Sequence, residues 1–273
     1  MASTPWKKVL YLKQPYKDNY VDASFLDSLV LNANVQRYEL RALCFGTLPI
    51  IRQLSLVVIF VNVWWRVQQL IWDLPCLLAL DVVLFCCLLL GRKKEKHMED
   101  ALKDVMQTFK IIFPLWVLAP LLQTLTRSWS DDTITLIASS LLVLHVASYR
   151  YKADAEAVCS LPGGPSALNA AIFAATILAS RLKTAQEVFA FMSFAMEVFA
   201  LTPKMRMCQL YALVPIYSCA VAMLGFGSAA CIFVATTAMI GFLSPVLFLW
   251  AQRYKTEIQG PWDIAHVMPQ ASQ

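Results

Sequence analysis

Two stretches decide the fold: LCFGTLPIIRQLSLVVIFVNVWW at 43–65, and, five residues later, IWDLPCLLALDVVLFCCLLL at 71–90. Each is about 20 residues of mostly apolar side chains, the length a helix needs to cross a hydrocarbon core of about 30 Å. Each carries one ionisable residue deep in its run, Arg52 in the first and Asp81 in the second. Six further stretches follow the same rule: 105–125, 132–149, 164–180, 186–202, 207–225 and 227–250. The expectation is an all-α, polytopic membrane protein of about eight transmembrane helices. The fifth and sixth stretches are short, so they read as tilted, re-entrant or buried among their neighbours. Gly225 and Gly227 mark a tight turn between the last two.

Composition agrees. Of 273 residues, 59% are hydrophobic and 15% charged, against roughly 25% charged in a soluble domain. That excludes a soluble globular enzyme, a disordered chain and a basic nucleic-acid binder. The apolar residues come in runs instead of alternating, which excludes an outer-membrane barrel. The net charge of +5 then reads as topology. With the N-terminus cytosolic, 17 of the 23 Lys and Arg fall in cytosolic segments and 4 in opposite-side segments, with Arg52 and Lys110 inside spans. This is a strong positive-inside bias, and an even number of spans returns the C-terminus to the cytosol. Trp64, Trp65, Trp72, Trp129 and Trp250 stand at span ends, where indoles prefer the interface. The chain divides into a cytosolic arm (1–42), a membrane domain (43–250) and a cytosolic tail (251–273).

Residues 1–42 are polar and contain no cleavable signal sequence, so the first span is expected to be its own insertion signal. Within this arm Ser24 can cap a helix with Asp27 in its first turn. Phe25, Leu26, Leu29, Val30 and Ala33 then recur at helical spacing, which predicts a short amphipathic helix on the membrane or on a partner. Gly91-Arg92-Lys93-Lys94-Glu95-Lys96 is a basic patch at the lipid surface, attracted to anionic headgroups by about 1 kcal/mol per charge. The eight cysteines, Cys44, Cys76, Cys86, Cys87, Cys159, Cys208, Cys219 and Cys231, form no CxxC. They read as buried thiols, neither a disulfide framework nor a zinc site. The small residues Ala167, Ala170, Ala171, Ala174, Ala175, Ala179 and Ser180 favour close helix packing.

Charges inside a bilayer need a partner or a purpose. Counted from opposite sides of the membrane on antiparallel spans, Arg52 and Asp81 both fall near mid-membrane, and the expectation is an intramembrane ion pair, with Arg52 snorkelling to the cytosolic surface and Asp81 hydrogen-bonded elsewhere as the alternative. Glu197 and His145 are further ionisable residues in spans, with hydrogen-bonded structural roles expected. No GxGxxG, phosphate loop, HExxH or GxSxG is present, and no cofactor, metal or catalytic residue is assigned. Asp131-Asp132 in a non-cytosolic loop would suit a self-sufficient membrane glycosyltransferase, but their place before Thr133-Ile134 suits helix capping. Glu197, His145 and the short spans leave a lipid scramblase or transporter as another alternative, though no inverted repeat is seen.

Several motifs are not forced by hydrophobicity. They are Trp6-Lys7-Lys8-Val9-Leu10-Tyr11 with Gln14-Pro15, Asp18-Asn19-Tyr20-Val21-Asp22 with Phe25-Leu26, Gly91-Arg92-Lys93-Lys94, Pro120-Leu121-Leu122-Gln123-Thr124-Leu125-Thr126 with Asp132-Thr133-Ile134, Leu168-Asn169 to Arg181-Leu182, and Gly260-Pro261-Trp262-Asp263. In this order they resemble the PIG-C family over nearly the whole chain. The resemblance implies a membrane subunit of the endoplasmic-reticulum complex that transfers N-acetylglucosamine from UDP-GlcNAc to phosphatidylinositol, the first step of GPI-anchor synthesis. It also implies that catalysis belongs to a partner subunit of the PIG-A type, alongside other membrane subunits. Arg52 and Tyr149-Arg150-Tyr151 do not match the family pattern. Lys93, Lys94 and Arg181 are then candidate contacts for a lipid headgroup, with lumenal anchoring as the alternative for Arg181. Asn19, Tyr20, Asp22, Trp262 and Asp263 are a candidate docking surface for the catalytic subunit, with mutual packing of the two termini as its alternative.

Overall fold

A computed structural model describes residues 13–17, 20, 30–32, 37–90, 110, 113–126, 128–151, 164–202, 209–256 and 258–259. The helices are α1 (Leu40–Gln68), α2 (Leu74–Leu90), α3 (Phe113–Thr124), α4 (Asp131–Ser148), α5 (Pro165–Ala179) and α6 (Ala185–Met196). They continue with α7 (Gln209–Leu224), α8 (Ser228–Ala238) and α9 (Ser244–Gln252). Five-residue π-helical turns extend α6 (Glu197–Leu201) and join α8 to α9 (Met239–Leu243). Every apolar stretch of the sequence therefore contains a helix. Three of the helical runs are long and apolar enough to cross a membrane: Leu40–Gln68, Asp131–Ser148 and Ser228–Gln252. The other apolar helices are shorter.

Two compact units emerge, one of 1–42 with 246–273 and one of 43–245. In the first, β1 (Val30–Leu31) pairs antiparallel with β2 (Ile258–Gln259), Val30 opposite Gln259 and Leu31 opposite Ile258. The amphipathic helix expected from Ser24 to Ala33 therefore does not include Val30 and Leu31, which are extended. Their extension has two physical sources. The ladder satisfies the backbone from outside the segment, and Asn32 (φ +57°) enters the left-handed region that asparagine tolerates, which ends the strand. Residues 21–29 lie outside the described residues. In the same unit Tyr38 packs edge-on against Phe248 at 5.5 Å.

The second unit is organised around α5. Ala167, Ala171, Ala174, Ala175 and Ala179 are fully buried, and α5 packs most extensively on α4, then on α6. Methyl-sized side chains let the helix backbones approach closely, which is how apolar helices associate where lipid is as apolar as leucine. Phe60 of α1 lies 4.8 Å from Phe191 and 5.0 Å from Phe199 between ring centroids, closing the centre. Large side chains such as Leu136, Val143, Phe173 and Ile232 face outward, as lipid-facing positions should. The cysteines expected as buried thiols are free but not buried: Cys76, Cys86, Cys87, Cys219 and Cys231 are exposed and Cys44 is half-buried.

The loop end that carries Trp129 is fastened by polar groups. Ser130 caps α4, accepting from the Thr133 N–H at 3.3 Å, with Asp131 and Asp132 in the first turn. Thr184 and Glu187 form a capping box for α6, Oγ1 accepting from the Glu187 N–H at 3.2 Å and Oε2 from the Thr184 N–H at 3.1 Å. Trp64 donates its indole N–H to the Leu178 carbonyl at 2.8 Å. Arg66 donates to the Met223 carbonyl at 2.9 Å and lies over the Trp72 ring.

Candidate functional site

The polar residues buried inside the helical unit include Gln53 and Ser55 on α1, Asp81 on α2, His145 on α4, Glu197 at the end of α6 and Thr237 on α8. Gln53 on α1 and His145 on α4 are 0% and 1% exposed, and Gln53 Nε2 lies 2.8 Å from His145 Nε2. On the other side of the ring, His145 Nδ1 lies 2.7 Å from the Ala167 carbonyl of α5. A carbonyl only accepts, so Nδ1 carries the proton. Nε2 is then the acceptor, and the Gln53 amide N–H donates to it. One imidazole thus ties three helices together. Its ring also packs edge-on against Phe199 at 4.9 Å and Tyr149 at 5.9 Å. The Gln53 Oε1 remains buried without a hydrogen-bond partner.

Arg52 and Asp81 are not joined: the one ion pair recorded among the described residues is Arg181 with Asp131. The reason is axial. α1 runs to Gln68 and α2 begins at Leu74. From their shared turn, Arg52 stands about 24 Å up α1 and Asp81 about 10 Å up α2, at roughly 1.5 Å per residue. Counting Arg52 from the cytosolic end of its span and Asp81 from the opposite end of its own places both near mid-membrane and hides this offset from their shared turn. Arg52 is instead an electrostatic neighbour of Tyr149, the C-terminal cap of α4. Asp81 is an electrostatic neighbour of Glu197. Both carboxyls are 8% exposed, and each has a buried oxygen without a hydrogen-bond partner. Glu197 opens the π-helical turn, and its carbonyl accepts from Thr202 Oγ1 at 2.9 Å.

Arg181 forms an ion pair with Asp131 (Nε to Oδ1, 3.2 Å) and donates to the Trp129 carbonyl. Its guanidinium is therefore engaged at the start of α4, which suits an anchoring role. Asp131 is 82% exposed, so the pair is screened and worth little. Of the candidate docking residues, Tyr20 is exposed and stacks on Tyr16 at 4.4 Å. Asn19, Asp22, Trp262, Asp263, Lys93 and Lys94 lie outside the described residues.

Tyr149, Arg150 and Tyr151 form a short polar segment after α4. Tyr151 donates its hydroxyl to the Val146 carbonyl at 2.6 Å and packs against Tyr149 at 5.0 Å. Burial, with Tyr149 adding to it, pushes the Tyr151 phenol up to about 12. The neutral phenol is what the fold stabilises. Its contribution is complete below the ordinary tyrosine value near pH 10 and is lost as the pH rises toward 12. A Tyr151→Phe variant should lack the last phenolate step of the wild type when absorbance near ~295 nm is followed through that window. The Arg150 side chain lies against Gly164, whose φ of +88° turns the chain into α5.

Sequence reasoning missed Gln53. A lone amide beside a charge in an apolar run was the available signal, since a buried amide needs a partner. It also missed the Thr184-x-x-Glu187 capping box, whose spacing is explicit in the sequence.

The family described as GPI2, phosphatidylinositol N-acetylglucosaminyltransferase, matches residues 6–263. A human relative, itself named as a subunit of phosphatidylinositol N-acetylglucosaminyltransferase, is 33% identical, covering 96% of this chain and 93% of its own length. The GPI2 subunit of Schizosaccharomyces pombe is 34% identical, covering 96% and 86%. The Saccharomyces cerevisiae GPI2 subunit is 22% identical over 96% and 98%. No solved structure matches. A family match over nearly the whole length, with relatives this similar, places the chain in the GPI2 family of phosphatidylinositol N-acetylglucosaminyltransferase subunits.

Proposed function

We propose that this chain is a non-catalytic, lipid-presenting membrane subunit of the complex that moves N-acetylglucosamine from UDP-GlcNAc to phosphatidylinositol. It crosses the endoplasmic-reticulum membrane about eight times with both termini in the cytosol. A PIG-A-type catalytic subunit and other membrane subunits are its partners. The match over residues 6–263 carries the reading. The described residues add support, since they are mostly apolar helix. A nucleotide-sugar site of the usual kind needs a soluble α/β domain, and no stretch between the spans reaches ordinary domain length.

The β1–β2 ladder supports a surface shared by the two ends of the chain. Asp22 precedes Val30 by eight residues, and Trp262 follows Gln259 by three. In this reading Asn19, Tyr20, Asp22, Trp262 and Asp263 face the catalytic subunit, and Lys93 and Lys94 hold anionic headgroups at the membrane surface. The alternatives have less support. Asp131 is engaged by Arg181, and both nitrogens of His145 are committed to Gln53 and Ala167, which leaves none for a proton relay with Glu197.

Affinity purification in mild detergent tests this. A PIG-A-type chain should co-purify, and the assembly should transfer N-acetylglucosamine to phosphatidylinositol. Removing residues 1–22 should release the catalytic chain. Transfer by the isolated single chain would overturn the reading.

A further inference from the structure

The arginine that failed to find Asp81 has no carboxylate paired with it among the described residues. Its Nε is buried without a hydrogen-bond partner. A cation in a membrane domain needs a counter-charge, and the protein around Arg52 supplies phenols instead. Gln53, next to Arg52 in α1, bonds His145 at 2.8 Å, and Tyr149, one turn further along α4, packs on that ring at 5.9 Å, which makes Tyr149 the guanidinium's electrostatic neighbour. Tyr151 packs on Tyr149, and Arg150 adds a second cation between them in sequence, its side chain against Gly164. Tyr149 caps the end of α4 opposite Ser130. With Trp129 at one interface, the 18 residues of α4 carry Tyr149 about 27 Å away at roughly 1.5 Å per residue. That is close to the far edge of a hydrocarbon core of about 30 Å, the depth of lipid phosphates. The Arg52 side chain is long enough to reach that level from within α1.

We propose that Arg52 and Tyr149, with Tyr151 behind them, hold the phosphodiester of a phospholipid headgroup at the membrane edge next to the end of α4. A guanidinium offers a planar fork of donors that fits a phosphate and keeps its charge at any physiological pH. The Tyr149 hydroxyl donates beside it. The buried Gln53–His145 bond locks α1 against α4 and so sets Arg52 against Tyr149; these two are positioning residues. Because the phosphate is gripped at the edge, the part of the headgroup beyond it projects into water. This inference rests on the reading of the chain as a lipid-presenting subunit, and names inositol phospholipid as the lipid held there.

The test uses the purified complex with Arg52→Gln, Arg52→Lys and Tyr149→Phe. Bound lipid is measured by native mass spectrometry after adding phosphatidylinositol, with phosphatidylserine and inorganic phosphate as competing arms. Transfer kinetics are measured on the same samples. Arg52→Gln should weaken phosphatidylinositol binding and raise its KM by roughly ten- to hundredfold. Its kcat at saturating lipid and its partner content should stay at wild-type levels. Arg52→Lys should recover part of the loss, and Tyr149→Phe should lose several-fold. If Arg52→Gln does not assemble, the other two variants decide the question. Wild-type lipid binding in variants that assemble overturns the proposal, as does displacement of the lipid by inorganic phosphate at equal concentration. An equal hold on phosphatidylserine would overturn the inositol assignment. Arg52-dependent lipid binding by a chain that recruits no catalytic partner would leave the site standing and remove the reading beneath it.

Discussion

Gln53→Leu is expected to destabilise the protein by about 1–3 kcal/mol, although leucine suits an apolar helix better than glutamine. The change strands His145 Nε2, which now accepts the Gln53 amide N–H at 2.8 Å in a site that is 1% exposed. His145→Leu is expected to cost more, about 3 kcal/mol, because it strands the Gln53 amide N–H, takes away one of the bonds the Ala167 carbonyl accepts and removes the ring packed on Phe199. The double change removes both halves of the Gln53 bond, so its cost should fall below the sum of the singles by about 1 kcal/mol or more. Thermal unfolding in mild detergent, followed by tryptophan fluorescence, checks all three. Additive singles would show that the two side chains do not depend on each other. The conservative His145→Gln keeps polar atoms in the gap and should recover part of the loss.

Ala174→Leu should destabilise the unit by about 1–3 kcal/mol through overpacking. Ala174 is fully buried on α5, as are Ala171 and Ala175 beside it, and α5 packs more extensively on α4 than on any other helix. A leucine there has no space unless a helix packed on α5 moves away, and a shift of α4 would also disturb the Ala167–His145–Gln53 tie. Phe173→Leu is the control. It lies on the same helix with its side chain 65% exposed, and it should change stability by less than about 0.5 kcal/mol. The readouts are folded yield from membranes and the thermal midpoint. Equal tolerance at positions 173 and 174 would contradict the close packing around α5.

Some of this architecture could be read directly from residue order. The apolar stretches became helices because the hydrocarbon requirement is local: a long apolar run must satisfy its own backbone hydrogen bonds, and a helix does so without partners. Capping at Ser130 with first-turn Asp131 and Asp132 was legible for the same reason, since a cap acts over three residues. The alanine spacing of α5 announced close packing, and the ordered polar motifs at both chain ends pointed to the family.

Pairing between helices was not legible. Arg52 and Asp81 sit on neighbouring helices, but only the true start and end of α1 and α2 reveal that they stand about 14 Å apart along the axis at roughly 1.5 Å per residue. The partner of His145 was equally hidden, because Gln53 is 92 positions away and nothing local links them. Val30 and Leu31 show the same effect with the opposite outcome: their spacing favours a helix, and Ile258–Gln259, supplied from the far end of the chain, makes them a strand. Sequence alone therefore determined the membrane class, the helix positions and the family, all of which depend on short-range chemistry. Tertiary structure alone decided which polar groups meet, because in an apolar interior each seeks the nearest partner in space, whatever its distance along the chain.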